Sequence, residues 1–434
     1  MVRRMYFEGF AWVIQKVREK PLIFFALLHA ILFLAVSANL DQSVGNCWVE
    51  RGVAMNIIDG QVPYRDFSTE YPPLAILTFL LPALVYSVQP VYSLLFALEI
   101  FIIDLAVLFL LAKFACRLTM QIWKVYIVYT LCLLAIGPII TGRYDLLPAT
   151  LVLLALYAFI SGRNKTAWAV LTLGIMAKVY PVIIAPFFAI YLLRYRQYRR
   201  LAQGVAVFLL VLLVINLPWL LIDAGGYWQS VSYHLERGLH IESSYGSVLL
   251  VGQILGLTQT TGEFSYGSWN LSSPMADSLA QISTYVTAGL LLLVYALYAR
   301  RLWRESNDVE PLGVTGGAAA SLLRYSMLAV VIMLLGSKLF SPQFIIWLCP
   351  LLPLVIVRWR YALPVLFLVT GGITQYIYPH NYLDLEMVVP YVVVLLAVRN
   401  FLLVVMAVIL LLPPRFLSAN GEKGVVGLTP SGRA

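Results

Sequence analysis

DGQVPYRDFSTEYPPL, Asp59–Leu74, is the first long polar interruption in a sequence that otherwise reads like lipid. It holds three carboxylates (Asp59, Asp66, Glu70), one guanidinium (Arg65), two tyrosines and three prolines. The prolines stiffen the backbone and Gly60 permits a tight turn. Charge beside a membrane span is costly unless it is solvated or functional. A plain solvated loop accounts for this composition on its own, but the residues around it do not fit so simple a reading.

The 434 residues are 61% hydrophobic and only 12% charged, with mean hydropathy +0.86. Repeated continuous apolar runs of about 20 residues define an all-α polytopic membrane protein. Outer-membrane barrel strands would alternate instead. The net charge of +9 lies in short Lys/Arg clusters between apolar runs, so it reads as an orientation signal rather than a nucleic-acid surface. The four cysteines are far apart, have no metal-ligand spacing and imply no disulfide framework.

Residues 1–20 carry Arg3, Arg4, Lys16, Arg18 and Lys20 and are expected in the cytoplasm. Ala35-Val36-Ser37-Ala38 resembles a signal-peptidase site, but Pro21–Leu40 is long enough to act as a signal anchor. One membrane domain is expected over 21–412, with outer loops at 41–73 and 223–279. A polar, disordered tail is expected over 413–434. Leu74–Val88 is short, and Lys113, Arg117 and Lys124 mark the next cytoplasmic loop. That charge pattern makes Leu74–Val88 an outer-face or re-entrant helix, with a tight pair of crossings as the alternative. The remaining alternation gives about 11–13 spans. Arg399-Asn400 interrupts the last apolar run, which is therefore one helix or two.

In this orientation the unusual polar residues collect on the outer side, among them Arg143, Asp145, Lys178, His234, Arg237, Glu242, Lys338, Gln343 and His380. Lys178 and Lys338 each sit in a short turn between apolar segments. Such a lysine either snorkels to the interface or captures a phosphate. Arg143 with Asp145 is either a turn-capping ion pair or a guanidinium aimed at a lipid phosphate. No nucleotide-binding loop, nucleophile elbow or zinc motif is present, so neither a nucleotide cofactor nor a metal is expected.

In order along the chain, the early Asp41, GQVPYRDFSTEYPPL, GRYDLLPA (Gly142–Ala149), GIMAKVYPVIIAP (Gly174–Pro186), YHLERGLHIESSYGS (Tyr233–Ser247) and LFSPQFIIWLCPLLPL (Leu339–Leu354) resemble glycosyltransferase family 87 over roughly residues 20–390. The resemblance implies a GT-C-like fold with two large outer-face loops. It also implies an inverting α-mannosyltransferase that uses a polyprenyl-phosphate sugar donor and needs no cofactor. The partners would be a glycolipid or glycan acceptor and membrane lipids, with no nucleic acid. The implied place of work is the outer face of the cell membrane. Asp41 matches the position of the usual base, with Asp59 and Asp66 in reserve. Arg143, Lys178 and Lys338 are the phosphate-stabilising candidates. Arg65, Glu70, Asp145, His234, Arg237, Glu242, Gln343 and His380 are the candidates for sugar or acceptor binding. The alternative is a flippase or transporter of lipid-linked sugars, which requires charges along a path through the membrane rather than on one side.

Overall fold

The computed structural model describes residues 19–38, 47–304, 314, 316–359 and 361–412. Asp41, most of the basic N-terminus and the tail from 413 lie outside the described residues. The chain is a helical bundle in which seven described helices are long and apolar enough to cross a membrane. They are Val91–Arg117, Ile122–Ile140, Tyr198–Glu236, Pro274–Trp303, Gly317–Gly336, Ala362–His380 and Pro390–Leu411. Shorter apolar helices, such as Pro21–Ala38, Leu146–Ile160 and Ala185–Arg194, fill the gaps between them. Gly317–Gly336 is mostly buried in the bundle, whereas little of the apolar stretch of Tyr198–Glu236 is buried. The first is a central helix, and the second packs one face on the core and turns the rest outward. The protein is thus an integral, multi-pass, all-α membrane protein.

The two ends of the bundle differ as the charge pattern predicts. At one end, basic side chains tie helix termini together: Arg117 donates to the Ile160 carbonyl at 2.9 Å and Arg194 to that of Leu302 at 3.3 Å. At the other end lie the loops that carry the candidate residues. Helix Pro73–Val85 has 13 residues, about 20 Å of rise against a hydrocarbon core of about 30 Å. Both its flanks are held by the same preceding segment: Tyr64 donates to the Tyr71 carbonyl at 2.6 Å, and Arg51 to the Ser87 carbonyl at 2.6 Å.

The region 223–279 is more ordered than a loop. Helix Tyr198–Glu236 kinks at Asp223, whose φ/ψ of −156°/96° leaves the helical range. The Asp223 carboxylate accepts from the Gly226 amide at 3.0 Å and restarts the helix as an N-cap does. Position 226 must be glycine, because a Cβ there would lie 1.8 Å from the Tyr64 carbonyl oxygen. Beyond the kink, β1 (Leu239–His240), β2 (Thr261–Ser265) and β3 (Ser268–Ser272) form a small antiparallel sheet in the order β1-β3-β2. Arg399 and Asn400 do not break the last helix, which is continuous from Pro390 to Leu411.

A polar cluster is sealed inside the bundle. His29 Nδ1 lies 2.7 Å from Asp104 Oδ2, and Tyr129 donates to Asp104 Oδ1 at 2.7 Å. His29 Nε2 lies 2.8 Å from the Thr130 hydroxyl, whose own proton goes to the Tyr126 carbonyl at 2.8 Å. Proton counting fixes the rest. Thr130 has only one proton, so His29 Nε2 is a donor. One proton is then shared between His29 Nδ1 and Asp104, and the cluster is neutral as a whole wherever that proton sits. Neutrality lets it remain fully buried. Because lipid supplies no hydrophobic drive between helices, such bonds help fix how helix Pro21–Ala38 packs.

Candidate active site

Six segments converge at the loop end. Helix Trp48–Ile58 brings Glu50, and its buried carboxylate pairs with Arg143 at 3.0 Å. The turn before helix Leu146–Ile160 brings Asp145, fully buried, which pairs with Lys178 at 2.6 Å. Trp347 Nε1 donates to the same Asp145 oxygen at 2.7 Å. Lys178 stands at the C-terminal end of helix Asn164–Ala177, boxed by the rings of Tyr144, Phe344 and Trp347 at 4.9, 4.7 and 5.4 Å. Tyr180 stacks on Trp347 with centroids 3.9 Å apart. Burial pulls the Lys178 ammonium below its ordinary pKa, and Asp145 works against that shift.

Glu70 and Arg237 complete the cluster and are different in kind. Neither makes an ion pair among the described residues. Glu70 is half-buried, and its carboxyl is raised, first by desolvation and also by Glu50; Arg237 and Lys178 oppose the shift. Arg237 donates Nη2 to the Ser268 hydroxyl at 2.8 Å and lies over the Tyr233 ring at 5.6 Å. Its Nε is buried with no hydrogen-bond partner. This donor is open to a hydrogen bond to water or to a ligand oxygen. His234 Nε2 lies 3.1 Å from the Glu70 carbonyl and joins the two loops.

The other candidates are placed less centrally. Lys338 gives Nζ to the carbonyls of Leu235 and Arg237, at 2.7 and 2.6 Å. It thereby caps the end of helix Tyr198–Glu236. Burial, followed by Arg237, lowers its ammonium. Asp66 is exposed and bound by Arg65 and by the Val62 amide, which hold its pKa low. Asp59 is exposed at the end of helix Trp48–Ile58, and His380 is exposed beyond helix Ala362–Gln375. Gln343 accepts from the Ser341 hydroxyl at 2.6 Å. Glu242 is fully buried and paired with Arg399. His240 accepts the Glu242 amide proton at Nδ1, 3.2 Å away. Burial, Arg237 and Arg399 push the His240 ring down to about 3, so it stays neutral.

Glu50 and Trp347 are the members of this cluster that the sequence did not single out. Glu50 is 93 residues from its partner, and Trp347 is 202 from Asp145, so no local spacing connects them.

Residues 69–342 match the family model described as Glycosyltransferase family 87. Among curated proteins, none matches the chain. Among solved structures, the chain is similar to ArnT from Cupriavidus metallidurans in the apo state, with 13% identity and a TM-score of 0.46, covering 93% of this chain and 77% of that one.

Proposed function

The chain belongs to glycosyltransferase family 87, and from that premise we propose a membrane transferase that moves mannose from a polyprenyl-phosphate donor to a lipid or glycan acceptor. One observation carries the reading. At the loop end Glu50, Arg143, Asp145 and Lys178 neutralise one another, whereas Glu70 and Arg237 keep a carboxyl and a guanidinium without an ion-pair partner among the described residues. Transfer from a lipid phosphate asks for just such groups: a cation for the departing phosphate and carboxylates for the hydroxyls.

The mechanism is a single inverting displacement. The acceptor hydroxyl oxygen attacks the anomeric carbon, and the bond from that carbon to the phosphate oxygen breaks. The bonding pair leaves on the phosphate, which Arg237 stabilises. The hydroxyl proton passes to Asp41, the base assigned by its place after the first helix. Glu70 holds sugar hydroxyls. Lys178 is boxed by rings and bound to Asp145, so it acts by orienting Asp145 and, through the shared oxygen, Trp347. The Lys/Arg distribution supports an outer-face site, because basic residues concentrate at the opposite end.

The test is to incubate the purified protein with polyprenyl-phosphate-mannose and membrane lipid extract and to identify products by mass spectrometry. A new mannosylated lipid or glycan is expected, with Arg237→Gln losing about ten- to hundredfold in donor use. Transfer from a different polyprenyl-phosphate sugar alone removes mannose from the reading. No transfer from any of them overturns the donor class.

A further inference from the structure

The Arg399-Asn400 pair lies inside the membrane-spanning helix Pro390–Leu411, about 14 Å along the axis from Pro390, where a charge is expensive. Both side chains are buried, and their partners lie in the segment Glu242–Ser247 and at Phe340. Arg399 pairs with Glu242 through Nη1 and donates Nη2 to the Glu242 carbonyl at 2.7 Å. Asn400 accepts from Arg399 and donates to the carbonyls of Glu242 and Ser243, both at 3.3 Å, and to the Ser247 hydroxyl at 3.2 Å. The Arg399 guanidinium also lies 4.3 Å from the centroid of the Phe340 ring.

These contacts bind two separate loops to one point. Glu242 belongs to the segment that begins with Arg237. Phe340 belongs to the segment that runs from Lys338 to Phe344 and Trp347, the rings beside Lys178. The loops also meet directly, with the His240 amide donating to the Lys338 carbonyl at 3.0 Å. We infer that Arg399 is a positioning residue: a guanidinium inside the membrane span that holds the Arg237 loop and the Phe344–Trp347 loop in register, and so sets the place of Arg237 relative to the Lys178 box. The functional part of this inference rests on the transfer reaction proposed above; the structural part does not.

Arginine suits the task because its planar fork binds a side chain and a carbonyl together while its face stacks on a ring. Arg399→Lys keeps the charge opposite Glu242 but loses the fork and the stacked plane. The Arg399→Met/Glu242→Met double variant removes the pair without leaving a lone buried charge, an exchange that often leaves stability near its starting value.

The test uses the full-length protein in detergent, with exposed Cys116 replaced by Ser and spin labels at Ser341→Cys and Tyr266→Cys. Tyr266 sits on the turn between β2 and β3, the strand paired with β1, while Ser341 belongs to the segment from Lys338 to Trp347. Both the double variant and Arg399→Lys are expected to broaden the distance distribution. Both should lower kcat by about ten- to hundredfold at little change in donor KM, because small misplacements near reacting groups have effects of that size. The thermal midpoint of the double variant should stay near that of the parent. An unchanged distance distribution in Arg399→Lys overturns the inference, whatever the double variant does. A parent protein with no transfer activity overturns the proposed function instead and leaves the distance measurement to decide this one.

Discussion

Lys178 Nζ lies 2.6 Å from Asp145 Oδ1, and the same oxygen accepts the indole proton of Trp347. A buried carboxylate with two donors on one oxygen cannot lose its cation cheaply. Lys178→Met should destabilise the protein by about 3–5 kcal/mol, since a lone buried charge remains. Adding Asp145→Asn should recover most of that loss, because the amide oxygen still accepts from Trp347 and carries no charge. Thermal unfolding in detergent measures both. If Lys178→Met is as stable as the parent, Asp145 is not a buried anion.

The His29–Asp104 cluster predicts an asymmetry. In Asp104→Asn the amide can donate to His29 Nδ1 and accept from Tyr129, so every bond of the neutral cluster survives. In His29→Leu the Asp104 carboxyl keeps Tyr129 and loses its other partner, which costs about 1–3 kcal/mol. Asp104→Asn should therefore unfold close to the parent, and His29→Leu well below it. Equal losses in the two variants would contradict the proton count.

How much of this was legible depended on how far apart the partners are. Lys178, Arg143 and Asp145 stood out as lone charges between apolar runs, and they lie at one end as the Lys/Arg pattern required. Their pairing was not legible, because an ion pair between helices leaves no periodic trace. Arg143 read as a partner for nearby Asp145, but it binds Glu50, and Asp145 binds Lys178. Glu50 passed as an ordinary polar residue in WVERGVAM. His29 and Asp104 are a different case: an ionisable residue in the middle of an apolar span is itself a signal, and both could have been flagged from the sequence. The long polar loops hid the kinked extension to Glu236 and the small sheet, since short strands with Gly and Ser resemble turns. The break suspected at Arg399-Asn400 did not occur, because Glu242, Ser243 and Ser247 satisfy those side chains within an unbroken helix.

His240 gives a pH dependence of defined sign. Its folded-state pKa is near 3, whereas an imidazole in the unfolded chain titrates near 6.5. Between those values the unfolded chain binds a proton that the native protein does not. His240 therefore lowers stability as the pH falls, by about 1.4 kcal/mol per unit from about 6.5 downward. Above 6.5 it contributes no slope. His240→Gln should flatten the acid side of a stability–pH curve by that amount. Parallel curves for the two proteins would mean that the ring is protonated in the native state.

The assignment of the base divides Asp41 from Glu70. Asp41 is the base proposed above from the resemblance. Glu70 is the carboxyl that the described site leaves without an ion pair. Asn and Gln keep the shape of each side chain and remove its basicity. Asp41→Asn should lower kcat by about 10²–10⁴-fold with donor binding intact, the usual range for loss of a general base. Glu70→Gln should raise KM and change kcat far less, because an amide still binds hydroxyls. Burial raises Glu70, so a Glu70 that must be ionised gives an acid limb above the ordinary carboxylate range, and Glu70→Gln removes that limb. The pH profile of kcat separates the two roles. If Asp41→Asn turns over near the parent rate while Glu70→Gln abolishes both turnover and the acid limb, the proton passes to Glu70, and Asp41 is a carboxylate at the end of a helix.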